Sequence, residues 1–216
     1  MLHNRQMIKK RERALRQEIV QVHRRLYDWG FSVVNDGNTS VRLDENKVLV
    51  TPKGFDKAKL KPKQIALVDM TGKPIQGPFA PSSELPVHLA VYQTRPEINA
   101  VIHAHPPFCI ALSLAGISLE EYLLPEVIVY LKTIPTTPYV TPTTEEAGKA
   151  VSALIKNHDA LILSRHGSVT VGKDLSQAMA RLERMEHTAK IVAIARSIGK
   201  IDPLPKFEVD RLLQMA

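Results

Sequence analysis

The sequence predicts a three-layer α/β/α protein, with a mostly antiparallel central sheet flanked by helices. Two observations predict it. Strand-like runs come in clusters, with helical segments before, between and after them. Neighbouring strand-like runs are often joined by turns such as Asp44-Glu45-Asn46, too short for the crossover that a parallel pair needs.

Taken in order, residues 6–29 predict a helix, because Ile19, Val20, His23, Leu26 and Tyr27 fall on one face at three- and four-residue spacing. Gly30 ends it, and Asp36-Gly37-Asn38 marks a turn. Residues 39–43 and 47–51 read as two short strands, 52–54 as a tight loop, and 64–70 as a further strand closed by Thr71-Gly72-Lys73-Pro74. A helix over 83–93 follows, capped by Ser82 or Ser83, with Pro86 tolerated in its first turn and Leu85, Leu89 and Tyr92 as its apolar stripe. The apolar run from Ala100 reads as a strand, and Pro106-Pro107 opens a short helix through Leu114 that Gly116 ends. Residues 127–132 and 135–140 read as extended, 145–156 as helix, 160–172 as a strand hairpin around His166-Gly167, and 175–198 as a long helix. Without a repeat or a clear linker, residues 1–216 are expected to form one domain, with a basic N-terminal extension over about 1–16.

Composition narrows the function classes. The chain has 216 residues, 44% hydrophobic and 24% charged, the balance of a soluble globular protein. Its single cysteine, Cys109, excludes an intramolecular disulfide and a Cys-rich zinc site, and reads as a buried structural thiol. No run approaches the roughly 18 apolar residues of a membrane span. No apolar signal core follows the basic N-terminus, so a cytoplasmic location is expected. The net charge of +7 is uneven: residues 1–16 hold six Lys or Arg against one Glu, five of the seven charges. With aromatics at 5%, stacking platforms are scarce, and nucleic acid is not an expected partner. No G-x-G-x-x-G or P-loop supports a dinucleotide or nucleoside triphosphate cofactor.

The chemistry-bearing stretch is Ala100-Val101-Ile102-His103-Ala104-His105-Pro106. Residues i and i+2 of a strand project from the same face, so one metal ion can take both imidazoles. His166 lies 61 positions on, at the end of another apolar run, and Glu84 supplies a carboxylate at a helix start. Three histidines and a carboxylate suit a catalytic zinc-type site. His3, His23, His88, His158 and His187 carry no motif and read as structural or exposed, and Met179 and Met185 as core.

Five pieces in order, Gly37-Asn38-Thr39-Ser40, Thr51-Pro52-Lys53-Gly54, Pro81-Ser82-Ser83-Glu84, His103-Ala104-His105 and His166-Gly167, make the chain resemble the class II aldolase/adducin family over about residues 17–204. The resemblance implies that family's fold, a metal held by His103, His105 and His166, and Glu84 as both a resting metal ligand and the base. It implies a substrate phosphate held by Asn38, Lys53, Gly54, Ser82 and Ser83. A glycine turn and a serine-bearing helix start do present N–H and O–H donors to an anion. Lys53 replaces the usual threonine, and would either strengthen phosphate binding or point away. Glu126 falls near the position of the family's proton-donating tyrosine, with Tyr130 as the other candidate.

The implied activity is metal-dependent cleavage of a short ketose 1-phosphate, of the L-fuculose 1-phosphate kind, to dihydroxyacetone phosphate and an aldehyde. The implied cofactor is one Zn2+ per chain, with Mn2+ or Co2+ also acceptable, and the implied assembly a homotetramer. Dehydration of 5-methylthioribulose 1-phosphate is the rival within the family, and Glu126 suits it. A non-catalytic, adducin-like binding module is disfavoured by intact Glu84, His103, His105 and His166, and a zinc hydrolase by the lack of H-E-x-x-H.

Overall fold

Short β-branched runs cannot satisfy their backbone groups singly, so they pair edge to edge. In the computed structural model, which describes residues 2–76 and 78–215 and their side chains from residue 6 onward, such runs build one seven-stranded sheet. The strands are β1 (Asn38–Asp44), β2 (Lys47–Val50), β3 (Ala66–Asp69), β4 (Pro74–Gln76), β5 (Ala100–Ala104), β6 (Ala160–Leu163) and β7 (Gly167–Gly172). Their order is β4-β3-β2-β1-β5-β7-β6, and neighbouring strands pair antiparallel. Register sets Asn38 opposite His103, and His103 opposite Val169.

Among the described residues, seven α-helices pack around it: α1 (Leu2–Asp28), α2 (Leu85–Thr94), α3 (Pro107–Leu114), α4 (Pro125–Leu131), α5 (Glu145–Ile155), α6 (Leu175–Ile198) and α7 (Lys206–Leu213). Successive strand residues serve opposite faces. Leu49, Ile102 and Ile162 join a core with Ile19 and Leu26 of α1, Leu112 of α3, and Met179, Leu182 and Met185 of α6. Val48, Val101 and Leu161 join a second core with Leu89 and Val91 of α2 and Val151 of α5. These two cores are the reason for three layers, as the sequence predicts. Cys109 is buried, and no described helix is long and apolar enough to cross a membrane.

Several elements correct the sequence reading. Residues 127–132, read as extended from Val127-Ile128-Val129, lie largely in α4. Pro125 opens that helix, and Val127, Ile128 and Leu131 are its buried face, so packing overrides β propensity. Residues 135–140 remain extended but contribute only an isolated bridge, Thr136 to Ile162. β4 and α7 were not expected at all. From Leu2 onward the basic N-terminal stretch lies within α1, and Arg16 donates to the carbonyls of Pro62 and Ile65. His3 lies outside the described side chains. At α2 the cap position falls to Glu84, with no side-chain cap bond, while the Glu84 N–H donates to Ser82 Oγ at 3.3 Å. The Glu84 carboxylate is thereby left for other partners.

Candidate active site

Four segments end at one edge of the layered structure: the start of β1, the start of α2, the end of β5 and the β6–β7 turn. His103 is the penultimate residue of β5, buried at 1% exposure. His105 follows the strand and is anchored by its N–H to the carbonyl of Phe31 at 2.8 Å. His166 sits in the tight turn after β6, next to Arg165, whose φ is 59°. The three rings lie 4.8–5.0 Å apart, centroid to centroid.

Gly167 lets them approach. A Cβ at that position would meet the Ala104 carbonyl oxygen at 2.5 Å, His105 Cδ2 at 2.9 Å and His103 Cε1 at 3.1 Å. Gly37, with φ +72°, presses in less tightly from the β1 side, where a Cβ would sit 3.0 Å from the His103 carbonyl oxygen.

One ligand atom from each of His103, His105 and His166 lies within 4.8 Å of the others. Nε2 of His105 and Nε2 of His103 are 3.0 Å apart. Two nitrogens each about 2.0–2.1 Å from one tetrahedral ion are separated by about 3.3 Å, so this spacing fits a shared metal. His103 Nδ1–H donates to the Ser168 carbonyl at 2.8 Å, which fixes the tautomer and turns the Nε2 lone pair inward, the usual arrangement around a ligating imidazole. Glu84 closes the group: Oε2 is 3.1 Å from His103 Nε2, and Oε1 is 3.5 Å from His166 Nε2.

The electrostatics agree with a cation in this place. Burial alone would raise the Glu84 carboxyl, yet the His103 charge and hydrogen bond, His166 and Asn38 outweigh it and hold it well below the usual carboxylate range. Burial, then His103 and His166, push His105 down to about 3, and burial with His103 lowers His166. His103 moves up, because Glu84 overcomes the effect of burial. Burial thus favours the neutral, lone-pair-bearing form of His105 and His166, while Glu84 gathers positive charge toward His103, the place a ligated cation would take. The residues fit a divalent metal.

The two segments carrying candidate phosphate ligands are also brought together. Lys53 N–H donates to Ala80 O and Ser82 N–H to Thr51 O, each at 3.0 Å, with a Pro52–Pro81 bridge between. Gly54 holds φ +75° with open space around its α-carbon, a turn that a side chain would strain. Ser82 is buried, while Ser83 and Lys53 are exposed. Lys57, which the sequence reading passed over, is buried beneath this turn with Nζ 2.8 Å from Pro52 O, and burial pushes its amine down to about 8 against the pull of Asp36 and Glu84. Asn38 does not face open solvent: its Nδ2 donates to Glu84 Oε2 at 2.7 Å. Behind it stand His88, Ser40 and Tyr92, all buried, which the sequence reading places as a structural or exposed histidine, a motif serine and an apolar-stripe residue without joining them to the site. Their signal was spacing, since 84, 88 and 92 share a helix face and 38 and 40 a strand face.

Glu126 and Tyr130 are not brought into this group. Both are exposed on α4, where Glu126 shares a hollow with Leu124, Arg184 and His187, and Tyr130 lies under the Arg184 guanidinium at 4.1 Å. The hollow beside Glu84 and His166 is lined instead by Val87, Val140, Pro142 and Leu163.

Comparison with known proteins gives a consistent result. The model of the Class II Aldolase and Adducin N-terminal domain matches residues 17–193. L-fuculose phosphate aldolase of Methanococcus vannielii is 38% identical over 184 residues, covering 85% of this chain and 98% of that protein. A 3-oxo-tetronate 4-phosphate decarboxylase of Haemophilus influenzae is 34% identical over 182 residues, covering 82% and 86% respectively. Among solved structures, YgbL of Escherichia coli superposes with a TM-score of 0.86 at 29% identity, over 94% of this chain and 99% of its own.

Proposed function

Since the chain belongs to the class II aldolase and adducin family, we propose that it is a metal-dependent aldolase cleaving a short ketose 1-phosphate, of the L-fuculose 1-phosphate kind, to dihydroxyacetone phosphate and an aldehyde. One observation carries the reading. Glu84 lies at once against the three-imidazole group and next to the paired 52–54 and 81–83 segments, so a base, a metal site and an anion cradle adjoin.

In this reading His103, His105 and His166, with Glu84, hold one divalent ion, zinc by preference and Mn2+ or Co2+ as alternatives. When bound, such an ion supplies Lewis-acid polarisation of carbonyl and hydroxyl oxygens. Asn38, Gly54, Ser82 and Ser83 hold the phosphate with N–H and O–H donors, and Lys53 adds charge from the exposed side of the turn. As the carbon–carbon bond breaks, the hydroxyl oxygen that becomes the aldehyde gives up a proton, and the carbon of the other fragment gains one. Glu84 moves the proton at that carbon.

Glu126 or Tyr130 serves the aldehyde oxygen. Because both are exposed on α4, that role calls for a second copy of the chain to present one of them, in keeping with a homotetramer. Light scattering that returns the 24.1 kDa monomer at micromolar concentration contradicts the assembly.

The decarboxylase relative favours a second reading, in which the bond to a carboxylate breaks and carbon dioxide leaves while Glu84 again serves the carbon that is protonated. Incubation with a panel of ketose phosphates and 3-oxo acid phosphates separates the possibilities. Release of dihydroxyacetone phosphate supports the aldolase, carbon dioxide the decarboxylase, and a dehydrated ketose phosphate the dehydratase.

A further inference from the structure

Behind Glu84 runs a chain of buried polar groups whose hydrogen bonds have only one consistent direction. Asn38 Nδ2 donates to Glu84 Oε2 at 2.7 Å, and Asn38 Oδ1 meets His88 Nε2. His88 Nδ1 lies 2.7 Å from Ser40 Oγ, and Ser40 Oγ lies 2.8 Å from Tyr92 Oη. His88, Ser40 and Tyr92 are each at most 1% exposed, and Asn38 3%.

An ionised carboxylate only accepts, so the amide group facing it must be the NH2. The Asn38 carbonyl then faces His88, whose Nε2 must carry the hydrogen. Burial, with His103 nearby, holds the His88 ring near pKa 3, so it is neutral and Nδ1 must accept. Ser40 has one hydrogen and gives it to Nδ1. Tyr92 must then donate to Ser40, and the Asn99 carbonyl, 3.5 Å from Tyr92 Oη, is left as a weak alternative.

We propose that Tyr92, Ser40 and His88 are positioning residues: through one fixed His88 tautomer they lock the Asn38 amide with its NH2 toward Glu84 and the anion cradle. A flipped Asn38 would set its carbonyl against the carboxylate and against an incoming phosphate. The buried chain forbids that flip, and so holds one oxygen of Glu84 in place while leaving the other beside His166. The consequence for turnover rests on the aldolase or decarboxylase reading above; the tautomer itself does not.

The test uses zinc-loaded wild type, Ser40→Ala, Ser40→Thr and Tyr92→Phe, each first checked for zinc per chain and melting temperature. Nitrogen-15 NMR of the histidine rings reads the His88 tautomer. A protonated Nε2 and bare Nδ1 in wild type, mixed tautomers in Ser40→Ala and recovery in Ser40→Thr are expected. Turnover in Ser40→Ala and Tyr92→Phe should fall on the order of 10-fold in kcat, from lost orientation, with zinc content unchanged. A protonated Nδ1 in wild type, or a tautomer indifferent to Ser40→Ala, overturns the proposal. So does a disturbed tautomer with unchanged kcat. A wild type inert toward every sugar phosphate but with the expected tautomer and its Ser40 dependence supports the lock and faults the function reading instead.

Discussion

Glu84 Oε2 lies 3.1 Å from Nε2 of His103, across the space into which the other two imidazoles point. A carboxylate so placed can be a metal ligand in the resting site and a base once substrate displaces it, because both roles use the same lone pairs. Glu84→Gln keeps the shape and removes the charge. It should retain the fold, weaken metal binding modestly and lower kcat by about 10²–10⁴-fold, the range for a positioned acid or base. Equal kcat in wild type and Glu84→Gln contradicts the assignment.

Gly167 is where backbone and rings leave no room. Gly167→Ala puts a methyl 2.5 Å from the Ala104 carbonyl oxygen and 2.9 Å from His105, so β5 and β7 must part or the rings must turn. Destabilisation of about 1–3 kcal/mol is expected from the overpacking, together with a lower zinc content per chain. Thermal melting and elemental analysis read the two effects separately. A variant matching wild type in both means that His105 is not held by this contact.

Glu126 and Tyr130 give a paired test of the proton donor. Neither touches the three-imidazole group, so Glu126→Gln and Tyr130→Phe should both keep full metal content. One of them should lose kcat by about 10²-fold or more while the other stays near wild type. If Glu126→Gln is the silent one, the tyrosine carries the proton. Should both remain active, the aldehyde oxygen is served by another group.

Acid sensitivity follows from two buried rings. Burial holds His23 and His88 near pKa 3, helped by Lys57 and His88 for the first and by His103 for the second, against the ordinary 6.5. The unfolded chain therefore binds more protons between about pH 3 and 6.5, and stability falls as pH drops through that window. Above it, neither ring contributes a slope. Both nitrogens of His23 are buried without a partner among the described residues, so His23→Leu should fold at pH 7. It should also flatten the pH dependence of urea-unfolding stability below pH 6.5 by up to about 1.4 kcal/mol per unit. An unchanged slope means His23 is not held neutral.

Much of the site was legible in the sequence because strand periodicity and short motifs are local. The two-residue spacing of His103 and His105 predicts one shared metal; β5 ends at Ala104, so it is the anchoring of His105 N–H on Phe31 O that keeps the second ring beside the first, with Glu84 against His103 and His166. What was not legible depends on packing between distant segments. Val127-Ile128-Val129 has β-branched residues typical of strands, but burial of Val127, Ile128 and Leu131 decides for helix. His88 and Tyr92 looked like a structural histidine and an apolar stripe residue, and only the pairing of α2 with β1 turns them toward Asn38. Lys57 stands in a charged run, Asp56-Lys57-Ala58-Lys59, with nothing local to mark it as buried. The roles weighed for Glu126 and Tyr130 involve a surface of α4 that one chain leaves open.

The most direct measurement is dihydroxyacetone phosphate release from L-fuculose 1-phosphate and related ketose 1-phosphates, by zinc-loaded wild type, by the same protein after chelation, and by His103→Ala, with zinc counted in each sample. About one zinc per chain and steady release are expected in the first. Loss on chelation with recovery on adding zinc, and loss of both metal and turnover in His103→Ala, complete the expected pattern. Release that persists without metal, or a zinc-loaded wild type that cleaves none of these substrates, contradicts it.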